Sequence, residues 1–295
     1  MNVNDMPTVF DERTAFENLP KRPSNANKGS FGKVLLYVGS EKYRGAAHLA
    51  AEAALRSGVG YVGFFGEGDL ALELRMRFPE LIFHEKCNKH VGVSSFFDIS
   101  ARYSAILTGC GSDISKEYFD ELRELLSSDG SPLVLDADAI NTIAAYSGRE
   151  YIRASRRTVI LTPHPLELSR LTGRSVDGIQ SNRLRTAEEV ARDLGVILLL
   201  KGQGTIVTDG RVSYLNSTGS SALAKAGSGD VLAGLVAGLL AYSKKPLEAV
   251  ALAAYLHGRA GDTLAEEYSN YGVTPSDLPK AVAKELSALE RLLSD

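Results

Sequence analysis

Along most of the chain, short unbroken apolar runs alternate with longer stretches in which apolar residues recur every three or four positions. The runs are residues 33–39 (KVLLYVG), 59–65 (VGYVGFF), 103–109 (YSAILTG), 132–138 (PLVLDAD) and 158–164 (TVILTPH). Each has strand length, and a strand that is apolar at consecutive positions is buried on both faces. Between them lie helical patterns: 46–58 (AAHLAAEAALRSG), which Gly58 stops, 115–128 (SKEYFDELRELLSS) and 138–147 (DAINTIAAYS). This alternation predicts an α/β fold with a mainly parallel central sheet and helices on both faces. In such sheets ligands bind beyond the carboxyl ends of the strands. The polar signals sit at those ends: Gly109-Cys110-Gly111, Asp136-Ala137-Asp138, Pro163-His164-Pro165 and Lys201-Gly202.

The pattern changes over residues 195–216, which read as strand, turn, strand, Asp209-Gly210 turn, strand; Asp-Gly between alternating runs is a hairpin signal. A glycine-interrupted apolar helix follows at 231–242, too short to span a bilayer, and then helical patterns at 246–268 and 279–293. No linker-like stretch, repeat or low-complexity tract follows residue 30. The expectation is one domain over residues 28–295. Residues 1–27 contain acids and no long apolar core, so they read as an N-terminal arm, either a flexible tail or a segment packed on a neighbour, and not as a signal peptide.

Composition adds exclusions. The chain has 295 residues, 44% hydrophobic and 23% charged, with a net charge of −3, an ordinary balance for a soluble domain. Lys and Arg form no stripe, which argues against a nucleic-acid partner. Two cysteines, Cys87 and Cys110, make no disulfide framework, and a reducing, cytoplasmic location is expected. Cys110 is expected to pack as a small apolar group. His48, His84, His90 and His257 read as ordinary surface or helix residues.

Four motifs carry candidate chemistry. In KAGSGD (225–230), glycines precede one acid at the mouth of an apolar helix. Asp230 there is either a cap or a base beside a bound anion, with the Ser228, Gly229 and Asp230 amides as donors. The spacing is neither a Walker A loop nor G-x-G-x-x-G. In LLLKGQGT (198–205), Lys201, the Gly202–Gly204 amides and the Thr205 hydroxyl can hold phosphates; the bland alternative is a tight turn with a solvated lysine. In LTPHPLE (161–167), two prolines stiffen the backbone around His164, which is either a donor to substrate or the start of a helix with Glu167 in its first turn. In LDADAIN (135–141), Asp138 reads best as a helix cap, whereas Asp136 could orient a hydrated cation or a substrate hydroxyl.

The order of these pieces, together with NKGSFGKVLLYVGSEKYRGAAHLAAEAALRSGVGYV, NSTGSSALAKAGSGDVLAGLVAGLLA and AAYLHGRAGD, resembles the NAD(P)H-hydrate dehydratases, the carbohydrate-kinase-like family of the ribokinase-like superfamily. The resemblance runs from Lys28 to the C-terminus. It implies a three-layer ribokinase-like sandwich. It also implies that NADH or NADPH hydrated at C6 of the nicotinamide ring, in the S form, is repaired at the expense of ADP or ATP with Mg²⁺. By matching residues, Lys201, Gly202, Gln203, Gly204, Thr205 and the Gly227-Ser228-Gly229 turn would contact the nucleotide. Ala46, Gly109, Gly111, His164 and Asp230 would contact the hydrate, Asp230 as the base that frees its hydroxyl to attack the terminal phosphoryl group. The chain departs from the family's pattern in two places: Cys110-Gly111-Ser112-Asp113 replaces Pro-Gly-Leu-Gly, and Leu166 replaces a glycine and is expected to narrow the pocket. A homo-oligomer such as a tetramer, and a separate NAD(P)H-hydrate epimerase, are the expected partners. The competing readings are a small-molecule kinase of the same superfamily, acting on a hydroxymethyl-pyrimidine, thiazole or sugar, and a nucleotide-binding regulator without turnover.

Overall fold

The computed structural model describes residues 6–66, 68–86 and 96–292; Cys87 and His90 lie outside them. Its strands are β1 (Thr8–Val9), β2 (Lys33–Tyr37), β3 (Tyr61–Gly66), β4 (Ile82–Glu85), β5 (Ala105–Thr108), β6 (Leu133–Leu135), β7 (Val159–Leu161), β8 (Ile197–Leu200), β9 (Thr205–Thr208) and β10 (Ser213–Asn216). They form one ten-stranded sheet in the order β1-β10-β9-β8-β7-β6-β5-β2-β3-β4. From β8 to β4 every neighbouring pair is parallel, while β9 runs antiparallel to both β8 and β10. The hairpin turns where Asp209-Gly210 predicts it: Asp209 Oδ1 accepts the amides of Arg211 and Val212 at 2.8 Å, and Gly210 takes a φ of +85°.

The apolar runs are continuous because the sheet is covered on both sides. Val34, Leu36, Leu107, Val134, Ile160 and Leu199 face one core, beneath the helices Arg44–Arg56, Ser228–Leu240 and Pro246–Gly272. Their sequence neighbours Leu35, Ile106, Leu133, Leu135, Leu161 and Leu198 face the other, beneath Lys116–Ser127, Ala137–Ala145, Pro165–Thr172 and Arg183–Leu194. The period of two therefore survives as a division between two cores. The three-layer sandwich expected from the sequence is present.

The glycines of the Ser228–Leu240 helix serve close approach. A Cβ on Gly234 would lie 2.3 Å from the carbonyl oxygen of Ala50, and one on Gly238 2.1 Å from Ser57 Oγ. Without side chains at those points the helix lies directly against Arg44–Arg56. Its N-terminus, with Asp230, is thereby held at the carboxyl ends of β5 and β6.

The N-terminal stretch read as an arm does not hang free beyond residue 7. β1 pairs in parallel with β10, and Phe10 is fully buried, its ring edge-on to Tyr214 at 5.2 Å. Asp11 caps the helix Glu12–Glu17 by accepting the Thr14 amide. Arg22 donates to the Gly58 carbonyl and lies over the Phe31 ring. A two-residue strand is too short to show a period, so the sequence carried no signal for it.

Phe10→Ala removes a fully buried aromatic ring and is expected to destabilise the fold by about 3–5 kcal/mol. Urea unfolding of the purified variant checks this. An unchanged midpoint would mean that the segment is detached in solution.

Candidate active site

The motifs converge at the carboxyl ends of β5 to β8. β8 delivers Lys201 into a nearly closed environment, where Nζ lies 2.8 Å from Asp136 Oδ1 at the end of β6 and 3.8 Å from Glu167 Oε2 beyond β7. The side chains of Asp136 and Glu167 are 2% and 5% exposed, so neither acid has water to solvate its charge. Burial works against the Lys201 ammonium, but the two carboxylates outweigh it and hold the group well above its ordinary value. Asp136 also accepts from Thr162 Oγ1 at 2.7 Å and from the Cys110 thiol at 3.6 Å. It takes the N-cap position of the helix Ala137–Ala145 but makes no side-chain cap bond. Asp138, the acid read as a cap, instead accepts the Asp113 amide at 3.0 Å.

Asp230 stands next to this pair. Its carboxylate, the Asp136 carboxylate and the Cys110 sulfur offer ligand atoms that all lie within 4.8 Å of one another. Burial first, and the Asp136 charge second, push the Asp230 carboxyl up to about 6. Cys110 is completely buried, as expected, but it does more than pack. Burial and the two neighbouring acids raise its thiol well above the usual range, so it stays an S–H donor to the carboxylates.

On the other side of Lys201 opens a cleft of about 770 Å³. Lys201, Gly202, Gln203, Thr205, Ser228 and Gly229, all read as nucleotide residues, line it together with His164. Gly204 and Gly227 shape its walls from behind through left-handed backbone, with φ of +62° and +101°. Gly229 brings the helix mouth to Lys201; a Cβ there would lie 3.4 Å from Nζ. Ala46, Gly109 and Gly111 gather beside Asp230 instead. A Cβ on Gly111 would lie 2.9 Å from that of Ala46, and one on Gly109 would strike the Asp136 carbonyl oxygen at 2.0 Å. The two residue groups thus flank the Lys201–Asp136 pair.

Several side chains are engaged differently from the sequence reading. Thr205 Oγ1 donates to the Gly202 carbonyl, and the Ser228 amide to the Lys225 carbonyl at 3.2 Å. His164 is both a helix cap and a cleft residue. Its Nδ1 accepts the Glu167 amide at 3.2 Å, its Nε2 lies 3.2 Å from Glu167 Oε1, and burial lowers its basicity, so the ring is neutral at pH 7. Leu166 is half exposed and is not among the residues that line this cleft. His257 is not a surface residue: it is buried in the cleft wall, 3.3 Å from Ser228 Oγ, and burial lowers it to about 4. His84 is likewise partnered, by the Tyr103 hydroxyl at 2.6 Å. Arg183, unmarked by any motif, fastens the 201–204 loop by donating to the carbonyls of Leu200, Lys201 and Gly204.

Mg²⁺ takes an octahedral shell of oxygens. Among the described residues the one group of three candidate ligands is Cys110, Asp136 and Asp230, which includes a thiol and an acid already paired with Lys201. That set does not fit Mg²⁺, and no residue is assigned to it.

Lys201→Met leaves two buried acids without their cation. The expected loss of folding free energy is about 3–5 kcal/mol, read from chemical denaturation at pH 7. A stability equal to wild type would contradict the charge arrangement described.

Comparisons with known proteins place the chain in a family. The family profile described as NAD(P)H-hydrate dehydratase, Carb_kinase, matches residues 34–284. A bifunctional NAD(P)H-hydrate repair enzyme of Thermofilum pendens is 34% identical over 279 residues, 92% of this chain and 53% of that protein. The chain thus spans about half the length of the first relatives it matches. The ADP-dependent (S)-NAD(P)H-hydrate dehydratase of Bacillus subtilis is 34% identical over 88% of this chain and 91% of its own. A crystal structure of the ADP/ATP-dependent NAD(P)H-hydrate dehydratase from Bacillus subtilis, co-crystallized with ATP/Mg²⁺, superposes with a TM-score of 0.83 at 28% identity, covering 96% of this chain and 99% of that one. With the profile matched from β2 into the last helix, and relatives aligned across nine-tenths of its length, this chain belongs to the carbohydrate-kinase-like NAD(P)H-hydrate dehydratase family.

Proposed function

We propose that the protein repairs (S)-NADH hydrate or (S)-NADPH hydrate by nucleotide-dependent dehydration, with ADP as the donor after its ADP-dependent relatives. The observation that carries this reading is the position of Asp230. A half-buried carboxylate, pushed up to about 6, stands in the first turn of a helix whose Ser228 and Gly229 line the cleft, and beside the Asp136 that pairs with Lys201.

The hydrate is a carbinolamine whose hydroxide leaves poorly. Asp230 takes the proton of the C6 hydroxyl as that oxygen attacks the β-phosphorus of ADP, and the bond to AMP breaks. Lys201, the amides of the 202–204 turn and those of Gly229 and Asp230 stabilise the charge that spreads over the phosphoryl oxygens. The ring-nitrogen lone pair then expels phosphate, and loss of the C5 proton restores the dihydronicotinamide. Mg²⁺ neutralises nucleotide phosphates when it is bound. Ala46, Gly109 and Gly111 contact the hydrate on the Asp230 side, and Gly202, Gln203 and Gly229 border the space for the nucleotide. A homo-oligomer, a separate epimerase and a cytoplasmic location complete the reading; no helix among the described residues is long and apolar enough to cross a membrane.

Asp230→Asn keeps the size and removes the base, so kcat is expected to fall about 10²–10⁴-fold. A rate within a few-fold of wild type would remove Asp230 from the mechanism. A kinase would retain phosphate on its product, and a regulator would consume no hydrate.

The acid must be ionised to act, so kcat/KM of the wild type is expected to fall as pH drops through about 6. Stability runs the opposite way. A carboxyl raised from 3.8 to about 6 by folding is favourable below about pH 4, and that contribution is lost as pH rises through 6. Asp230→Asn is therefore expected to be more stable than wild type at pH 7, by at most about 3 kcal/mol, with the gap closing toward pH 4. Thermal unfolding across pH 4–7 measures this, and a variant less stable at pH 7 would contradict it.

A further inference from the structure

The 201–204 loop keeps its carbonyls occupied and its amides open. The amides of Gly202, Gln203 and Gly204 donate to no group among the described residues. Gly202 and Gln203 border the cleft. The carbonyls are taken up by side chains. Thr205 Oγ1 donates to that of Gly202 at 2.9 Å. A single nitrogen of Arg183, Nη2, donates to those of Leu200, Lys201 and Gly204 at 3.1, 3.3 and 3.4 Å. A run of backbone amides without protein partners is a concave donor surface suited to an anion.

Arg183 begins the helix Arg183–Leu194, is half-buried and does not line the cleft itself. Its Nη1 donates to Gln180 Oε1 at 2.9 Å, and it forms no ion pair among the described residues. A Cβ on Gly202 would lie 3.1 Å from Nη1, so the glycine lets the guanidinium come up against the loop. The Lys201–Gly202 peptide is trans, and in a trans peptide the N–H points opposite to the C=O. With the Lys201 carbonyl turned to Arg183, the Gly202 N–H faces away from the guanidinium. Two of the four loop residues are glycines, at φ of +133° and +62°, and such a backbone has other orientations open to it. Three carbonyls gathered on one nitrogen select this one.

We propose that Arg183 is a positioning residue for the nucleotide. By holding the loop's carbonyls it aims the Gly202 N–H and its neighbours at the phosphates of ADP, without touching the ligand. The proposal rests on the reading of this cleft as the nucleotide site. Lys201 is shared with Asp136 and Glu167, whereas the loop amides have no competing partner among the described residues. The guanidinium charge faces no carboxylate, so it adds to the positive field behind the loop.

The test compares ADP with adenosine, which has the same base and ribose and no phosphate. Binding of each to the purified protein, with Mg²⁺, is measured by ligand-observed NMR. Arg183→Ala is expected to weaken ADP about 10–100-fold, the worth of one hydrogen bond to a charged group, and to leave adenosine unchanged. Arg183→Lys keeps the charge and a donor and is expected to regain part of the ADP affinity. Should the Ala variant not fold, Arg183→Gln gives the same comparison with one amino group left to face the carbonyls. Equal weakening of ADP and adenosine would mean that Arg183 only shapes the cleft, and unaltered ADP binding would mean that the loop needs no clamp; either overturns the proposal. Wild type that binds ADP no tighter than adenosine overturns it too, because the amides would then hold no phosphate. Wild type that binds ADP but recovers no NADH from its hydrate would overturn the dehydratase reading instead, an outcome separate from the comparison of ADP with adenosine.

Discussion

One buried ammonium makes this site possible. Lys201 lies 2.8 Å from Asp136 and 3.8 Å from Glu167, and those acids have almost no contact with water. Asp230 stands beside Asp136. Three acids around one cation leave a surplus of negative charge that the fold must bear. A buried pair of this kind seldom adds net stability, although removing one member is costly. Its value here is arrangement: Lys201 offsets the charge of Asp136 and part of that of Glu167, while Asp230 beside them has its proton affinity raised to about 6.

The rest of the structure supports that arrangement. The parallel sheet brings the ends of β5, β6, β7 and β8 side by side, so that residues as far apart in sequence as Cys110, Asp136, Glu167 and Lys201 meet at one edge. The glycines of Ser228–Leu240 press that helix against Arg44–Arg56 and fix where Asp230 emerges. Left-handed backbone at Gly202, Gly204 and Gly227 turns the walls of the cleft toward the same point. The carboxylate that suits a base at neutral pH is also one that weakens the fold there, so activity and stability conflict at Asp230.

The layers were legible because burial on both sheet faces writes itself as unbroken apolar runs, and the strand ends were legible because Gly, Asp, His and Lys interrupt those runs. The order of motifs brought together the residues that line the cleft. The partnerships were not legible. Lys201 is bound by acids 65 and 34 positions away, which no local pattern records. Asp136 and Asp138 look like a capping pair, yet Asp136 binds Lys201 and Asp138 accepts the Asp113 amide, with a left-handed Ala137 between them; an alanine gives no warning of positive φ. Cys110 reads as an apolar filler because its chemistry depends on two carboxylates from other strands and helices. His257 sits within a helical pattern like any other and gains its meaning from Ser228, which packs against it from another helix.

The most direct measurement is recovery of reduced-nicotinamide absorbance from chemically prepared NADH hydrate, with purified wild-type protein and Mg²⁺, in the presence of ADP, of ATP and of neither. A phosphorylating dehydratase built around Asp230 predicts no enzymatic recovery without nucleotide and steady recovery with ADP, with one phosphate released for each NADH regained. Recovery that proceeds equally without nucleotide, or nucleotide consumed with phosphate retained on the hydrate, would contradict it.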